Sequence, residues 1–178
     1  TNIKELGRIT LELKKTKPEK MKEYKRDFKK IAEHVIVDCA AGLGPEASCA
    51  IELADELIVV TNPEMPAITD ALKAVKLAES MRKPIKGVIV TRVKKDDIEL
   101  SPEVVREMLE APIIGMIPED DDVRKSISMK NAVVHTHPKG KASRAYKEIA
   151  AKILNINYDS DKDKKSLWKK FSNWLGLN

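Results

Sequence analysis

An aspartate that ends an apolar run, followed by small residues and a glycine, is the first place along this chain where chemistry could occur. His34-Val35-Ile36-Val37-Asp38 reads as a short buried strand with a carboxylate at its tip. Cys39-Ala40-Ala41-Gly42-Leu43-Gly44 follows as a loop of small residues. A carboxylate so placed can hold a magnesium-bound water, and the glycine lets a backbone amide approach a phosphate oxygen. Asp38 can equally cap the strand or the next turn, and the residues alone leave both open.

The second candidate lies at the other end. In Lys164–Leu177 the residues Leu167, Trp168, Phe171, Trp174 and Leu175 fall on one face of a helix. Lys164, Lys165, Lys169 and Lys170 flank that face, and both tryptophans of the chain lie on it. Aromatic rings bordered by lysines suit a helix lying in the plane of an anionic membrane surface. The same residues could instead dock on the domain as core, but the charged stretch before them and their terminal position favour the membrane. If the face buries about 300 Å² of apolar area, the gross gain is about 7 kcal/mol. Each lysine near anionic lipid adds about 1 kcal/mol, and ordering the helix costs a comparable amount to the whole gain. One tail should bind weakly and reversibly, and two tails in a dimer far better.

The elements that must position Asp38 are legible from the hydropathy pattern. Of 178 residues 42% are hydrophobic, enough for one domain with a sizeable core, and aromatics are only 4%, so that core is aliphatic. Pro18 and the stripe Met21, Tyr24, Phe28, Ile31 predict a helix from about 17 to 33, and Pro45 opens another that ends near Ala54. Strands are expected at His34–Asp38, Leu57–Thr61, Ile85–Thr91 and Ile113–Ile117. Helices are expected from Pro66 to Arg82, from Ser101 with Pro102 in its first turn, from near Val123, and from Ala142 to Leu154. Val133-Val134 suggests a brief edge strand. Alternating strands and helices with short connections predict an α/β domain built on a parallel, doubly wound sheet. Such sheets bind ligands beyond the carboxyl ends of their strands, where the loops after Asp38, Thr61, Thr91 and Ile117 would gather. Residues 1–154 form the expected domain, 155–163 a polar linker, and 164–178 the amphipathic helix.

Other features are read more plainly. Cys39 and Cys49 have neither metal spacing nor a disulfide framework, and their apolar surroundings predict buried thiols in a reducing cytoplasm. His135-Thr136-His137 would alternate sides on an extended chain, so these are expected to be loop residues. The lysines of 14–30 read as a solvated helix face. No apolar run is long enough to span a bilayer, and Lys4, Glu5 and Arg8 precede any apolar stretch, so no signal peptide is expected. The net charge of +5 is concentrated near the two ends, without a helix-turn-helix pattern or an aromatic-studded basic strand, so nucleic acid is not the expected partner.

Four segments in order resemble the MinD/ParA group of deviant P-loop ATPases, and MinD in particular. Val35–Leu43 resembles the Asp-x-Pro-Ala-Gly switch segment. Val59-Val60-Thr61-Asn62-Pro63-Glu64 with Ile68-Thr69-Asp70 resembles the Asn-Pro-Glu strand end and the helix after it. Gly87–Arg92 resembles the strand ending in Asn-Arg. Ile114–Asp120 with Val123-Arg124 resembles the Ile-Gly-x-Ile-Pro-Glu-Asp segment. The match covers about Leu11 to Leu154. The resemblance implies a P-loop NTPase-like sheet, here N-terminally incomplete, and ATP with Mg²⁺ as cofactors. It implies that Asp38 holds the magnesium-water shell and Gly42 lies under the γ-phosphate. Thr91 and Arg92 would lie beside the adenine, Pro118 and the backbone near Glu119 on its other side, and Asp70 on a dimer or partner surface. It also implies a homodimer, a cell-division regulator as partner, and a peripheral location on the cytoplasmic face of the cell membrane.

The departures are specific. Ala40 stands for the family proline and Thr91 for the family asparagine, and a hydroxyl cannot read both N6 and N7 of adenine as an amide can. Met129-Lys130-Asn131-Ala132 lacks the usual glycine and proline. The 178 residues contain no Lys-Gly-Gly-x-Gly-Lys-Thr loop, and Gly7 is the only glycine before Gly42. Without that loop nothing cradles the phosphates and no lysine neutralises them, so the chain alone is expected to be inactive. The expected function is that of a MinD-like ATP-dependent membrane switch in positioning the division site. A non-catalytic membrane-tethered interaction module and a ParA-like DNA-partitioning protein are the alternatives.

Overall fold

A computed structural model of the protein describes residues 18–39, 44–94, 96 and 98–158. Its elements are α1 (Pro18–Ile31), α2 (Pro45–Leu53), β1 (Leu57–Thr61), α3 (Met65–Ser80), β2 (Ile85–Val93), α4 (Pro102–Leu109), β3 (Ile113–Pro118), α5 (Asp121–Ser128), α6 (Val133–Thr136) and α7 (Lys141–Leu154). The three strands make an open parallel sheet in the order β1-β2-β3, as an α/β domain requires. The chain divides into two compact units, Thr1–Ile89 with Asp97–Ile113 and Val90–Asp96 with Ile114–Asn178.

In the first unit local signals set the helix ends. Pro66 sits in the first turn of α3, and Arg82 at φ 55° stops the chain from continuing as helix. Ser101 caps α4 by accepting from the Val104 amide at 3.4 Å, Pro102 follows, and Glu110 in the left-handed region closes the helix. Val59 of β1, Val88 of β2, Ile68 and Val75 of α3, and Val105 and Leu109 of α4 are all buried and make the aliphatic core. Two lysines close α2 from outside. Lys83 Nζ donates to the carbonyls of Glu52 and Ala54 at 2.7 Å each, and Lys25 Nζ sits 2.6 Å from Asp55 and 3.4 Å from the Ala54 carbonyl. Lysine at a helix C-terminus satisfies carbonyls that lack partners within the helix. Burial, and then the nearby Lys25, push the Lys83 ammonium below its ordinary pKa. Lys25 therefore does more than face solvent.

In the second unit a single carboxylate starts two helices. Asp120 accepts from the Asp122 amide at 3.0 Å, capping α5, and from the Ala142 amide at 3.1 Å, in the first turn of α7. β3 meets α7 through Gly115, where an added Cβ would overlap Cγ1 and Cδ1 of Ile149. The bonds from the Ala142 and Asp122 amides hold the Asp120 carboxyl below the usual carboxylate range. A depressed folded pKa contributes stability above the unfolded value of about 3.9, lost as pH falls through the lower folded value. Asp120→Ala is therefore expected to cost about 1–2 kcal/mol at pH 7 by the usual worth of a helix cap. That difference should shrink below about pH 3.9. Denaturant titrations at pH 7 and pH 3 check this, and an equal cost at both pH values would refute the ionic caps.

Four expectations are corrected. His34–Asp38 forms no strand. Ile36 is 95% exposed and Val35 46%, because an apolar run with strand propensity acquires a buried face only when a neighbouring strand pairs with it. Cys39 is consequently exposed rather than buried, and Cys49 half-buried. Val133-Val134 opens the helical turn α6 instead of an edge strand. Asn131 Oδ1 accepts from the Ala132 amide at 2.8 Å, and the Ala132 carbonyl then accepts from His135 at 3.0 Å and Thr136 at 3.2 Å. His135 and Thr136 thus lie on α6, with His137 as its C-cap, rather than in a loop. Gly42 and the tail residues Leu167, Trp168, Phe171, Trp174, Leu175, Lys165, Lys169 and Lys170 lie outside the described residues.

Candidate functional site

The ends of β2 and β3 carry the only expected site residues joined by a described side-chain bond. β2 continues past Thr91 to Val93, and Arg92 within it adopts φ 59°. A left-handed conformation costs a non-glycine residue about 1–2 kcal/mol, so the surrounding bonds must hold it. Two bonds to Glu119 do so. The Glu119 amide donates to the Val93 carbonyl at 2.9 Å, tying the two strand ends by their backbones. Arg92 Nε donates to Glu119 Oε2 at 3.2 Å, tying them by their side chains. The Arg92 side chain is 62% exposed and that of Glu119 33%, so the pair contributes at most about 1 kcal/mol to stability. It joins the carboxyl ends of β2 and β3, with half-buried Thr91 next to Arg92 in the chain and half-buried Pro118 next to Glu119. A planar cation at a strand end is a surface on which a flat aromatic ring can stack.

The remaining expected residues lie elsewhere. Asp38 and Asp70 belong to the first unit. Asp38 is exposed at the end of the unpaired run. Asp70 sits on the exposed side of α3 and pairs with Lys73 at 2.8 Å. Among the described residues no group of three His, Cys, Asp or Glu side chains could hold a metal ion.

The model of the 4Fe-4S iron sulfur cluster binding proteins of the NifH/frxC family matches residues 17–164. The chain belongs to this family. Its relatives place it on the MinD/ParA side. An uncharacterized ATP-binding protein of Methanocaldococcus jannaschii is 39% identical, over 92% of this chain and 63% of its own length. The septum site-determining protein MinD of Pyrococcus horikoshii, solved with Mg-ADP, is 28% identical, with a TM-score of 0.69 over 77% of this chain and 56% of its own. The MinC:MinD cell division protein complex of Aquifex aeolicus matches with 28% identity and a TM-score of 0.68, over 78% of this chain and 61% of that one. The chain thus spans between half and two-thirds of the length of each of these proteins.

A 4Fe-4S cluster takes four thiolates, and one copy of these 178 residues offers two cysteines, one exposed before α2 and one half-buried within it. The open parallel sheet is that of the MinD/ParA-type ATPases.

Sequence reasoning missed a polar core within the second unit. Ser126 is buried, donates to the Asp122 carbonyl at 2.5 Å, and lies 2.6 Å from Thr136 Oγ1 and 3.3 Å from His137 Nδ1. His137 Nε2 is 3.8 Å from Asp122 Oδ1. The residue types invite comparison with a nucleophilic triad. Ser126 is only 1% exposed and already donates to a carbonyl, so the group binds α5, α6 and the chain after them into one unit. Asp120 was equally hidden, because its second acceptor contact lies 22 residues away at Ala142.

Proposed function

We propose that this chain carries the base-binding and membrane-targeting parts of a MinD-type, ATP-dependent switch. In this reading the intact protein dimerises on ATP and magnesium and attaches to the cytoplasmic face of the cell membrane. There it engages a division regulator and helps to position the division site. The observation that supports it most directly is the Arg92–Glu119 pair, which joins two of the residues that the family resemblance implies for an adenine site. Asp38 would hold the magnesium-water shell, Gly42 would lie under the γ-phosphate, and Asp70 would face a partner. Residues 164–178 would supply the membrane helix.

Arg92→Ala is expected to weaken ATP binding about tenfold, the worth of one stacked guanidinium. Saturation-transfer NMR with millimolar ATP, reading the base protons, checks this. An unchanged signal in the variant would overturn the base site. A second reading, a membrane-tethered module without catalysis, is favoured by Thr91 standing where the family resemblance has an asparagine. Magnesium-dependent ATP hydrolysis by this chain alone would exclude it.

A further inference from the structure

We infer that residues 34–38 are a self-complementary strand, through which two copies of this chain pair antiparallel about Ile36. The association needs no nucleotide and does not rest on the base site proposed above. His34-Val35-Ile36-Val37-Asp38 belongs to no helix or strand, and none of its backbone groups takes part in a described hydrogen bond. Ile36 is the most exposed of the five, His34, Val35 and Asp38 are exposed too, and Val37 is half-buried. A β-branched run with unpaired donors and acceptors is a template for another strand.

The residues at its ends say which strand. In an antiparallel pair centred on Ile36, that residue faces its own counterpart, Val35 faces Val37, and His34 faces Asp38. Two-fold symmetry repeats each pair, so an imidazole donor meets a carboxylate acceptor at both ends of the ribbon. His34 Nε2 lies 3.9 Å from Glu33 Oε1 within one chain, beyond hydrogen-bond reach, so the ring can turn to the second copy's Asp38. Positions 34, 36 and 38 share one face of the ribbon, and there the two exposed isoleucines leave water together. Other arrangements lose these pairs. A parallel pair in register sets His34 beside His34 and Asp38 beside Asp38, like against like. An antiparallel slide by two residues puts Asp38 opposite Ala32 in one direction, and His34 opposite Ala40 in the other. Five-residue strands cover less than the roughly 1,200 Å² of a stable interface, so this dimer is weak and concentration-dependent.

The test uses the full chain without nucleotide. Sedimentation velocity should show monomer passing to dimer with a dissociation constant on the order of 100 μM. Ile36→Lys sets two ammonium groups against each other on the symmetry axis and should weaken the dimer about tenfold or more. Ile36 is 95% exposed, so the variant should keep the parent's far-UV circular dichroism. The register is read by disulfides formed with oxidised glutathione in a Cys39→Ser background. Ile36→Cys should cross-link, because facing residues have Cα atoms about 4.5–5.5 Å apart. Val35→Cys should not, because its counterpart is a diagonal neighbour about 7–8 Å away. A chain still monomeric at about 1 mM overturns the inference and leaves the segment to a strand of some other polypeptide. Equal cross-linking of the two cysteine variants also overturns it, as does a dimer that Ile36→Lys leaves intact.

Discussion

Gly115→Val is expected to destabilise the protein by about 3 kcal/mol, the upper part of the usual cost of overpacking. Gly115 lies on β3, and an added Cβ would run into Cγ1 and Cδ1 of Ile149 on α7. Ile149 is 6% exposed, and a β-branched side chain on a helix has essentially one comfortable rotamer, so it cannot swing aside. The strand must then move away from the helix, or the helix from the strand. Replacing Ile149 with alanine in the same molecule should restore part of the loss, and denaturant titration of both singles and the double closes the cycle. If the two costs simply add, the contact is not where the destabilisation arises.

The second large effect concerns the tail. Trp168→Glu or Phe171→Glu is expected to abolish binding to anionic vesicles, by about 100-fold or more. Losing a buried aromatic removes about 2–3 kcal/mol, and the new carboxylate faces lipid of its own sign. Sedimentation with phosphatidylserine-containing vesicles reads the result directly. Unchanged sedimentation would assign the tryptophans to a docked helix. No described helix is long and apolar enough to cross a membrane, so the tail proposal does not compete with a spanning segment among the described residues.

What could be read from sequence followed from how local each signal is. α3, α4 and α7 were legible because proline, a capping serine and helical periodicity lie within a few residues of the ends they set. β1, β2 and β3 were legible as short aliphatic runs, with β2 extending two residues beyond the expected Thr91. His34–Asp38 has the same composition but no paired neighbour, and propensity cannot reveal whether a ladder partner exists. Val133-Val134 looked extended until the Asn131 side chain and the Ala132 carbonyl turned it. The base-side residues were visible only through a family resemblance. Nothing in their spacing announces that Arg92 and Glu119, 27 residues apart, would meet.

Arg92 gives the two strand ends a divided loyalty. Its backbone would prefer a glycine, whereas its side chain supplies the cation that pairs with Glu119. Arg92→Gly would relieve about 1–2 kcal/mol of conformational strain and forfeit a surface ion pair worth no more than that. The variant could fold as well as its parent, or better, with its stacking surface gone. Selection for stability alone would therefore push this position toward glycine. An arginine that persists there across related chains would mark a position where recognition outweighs folding.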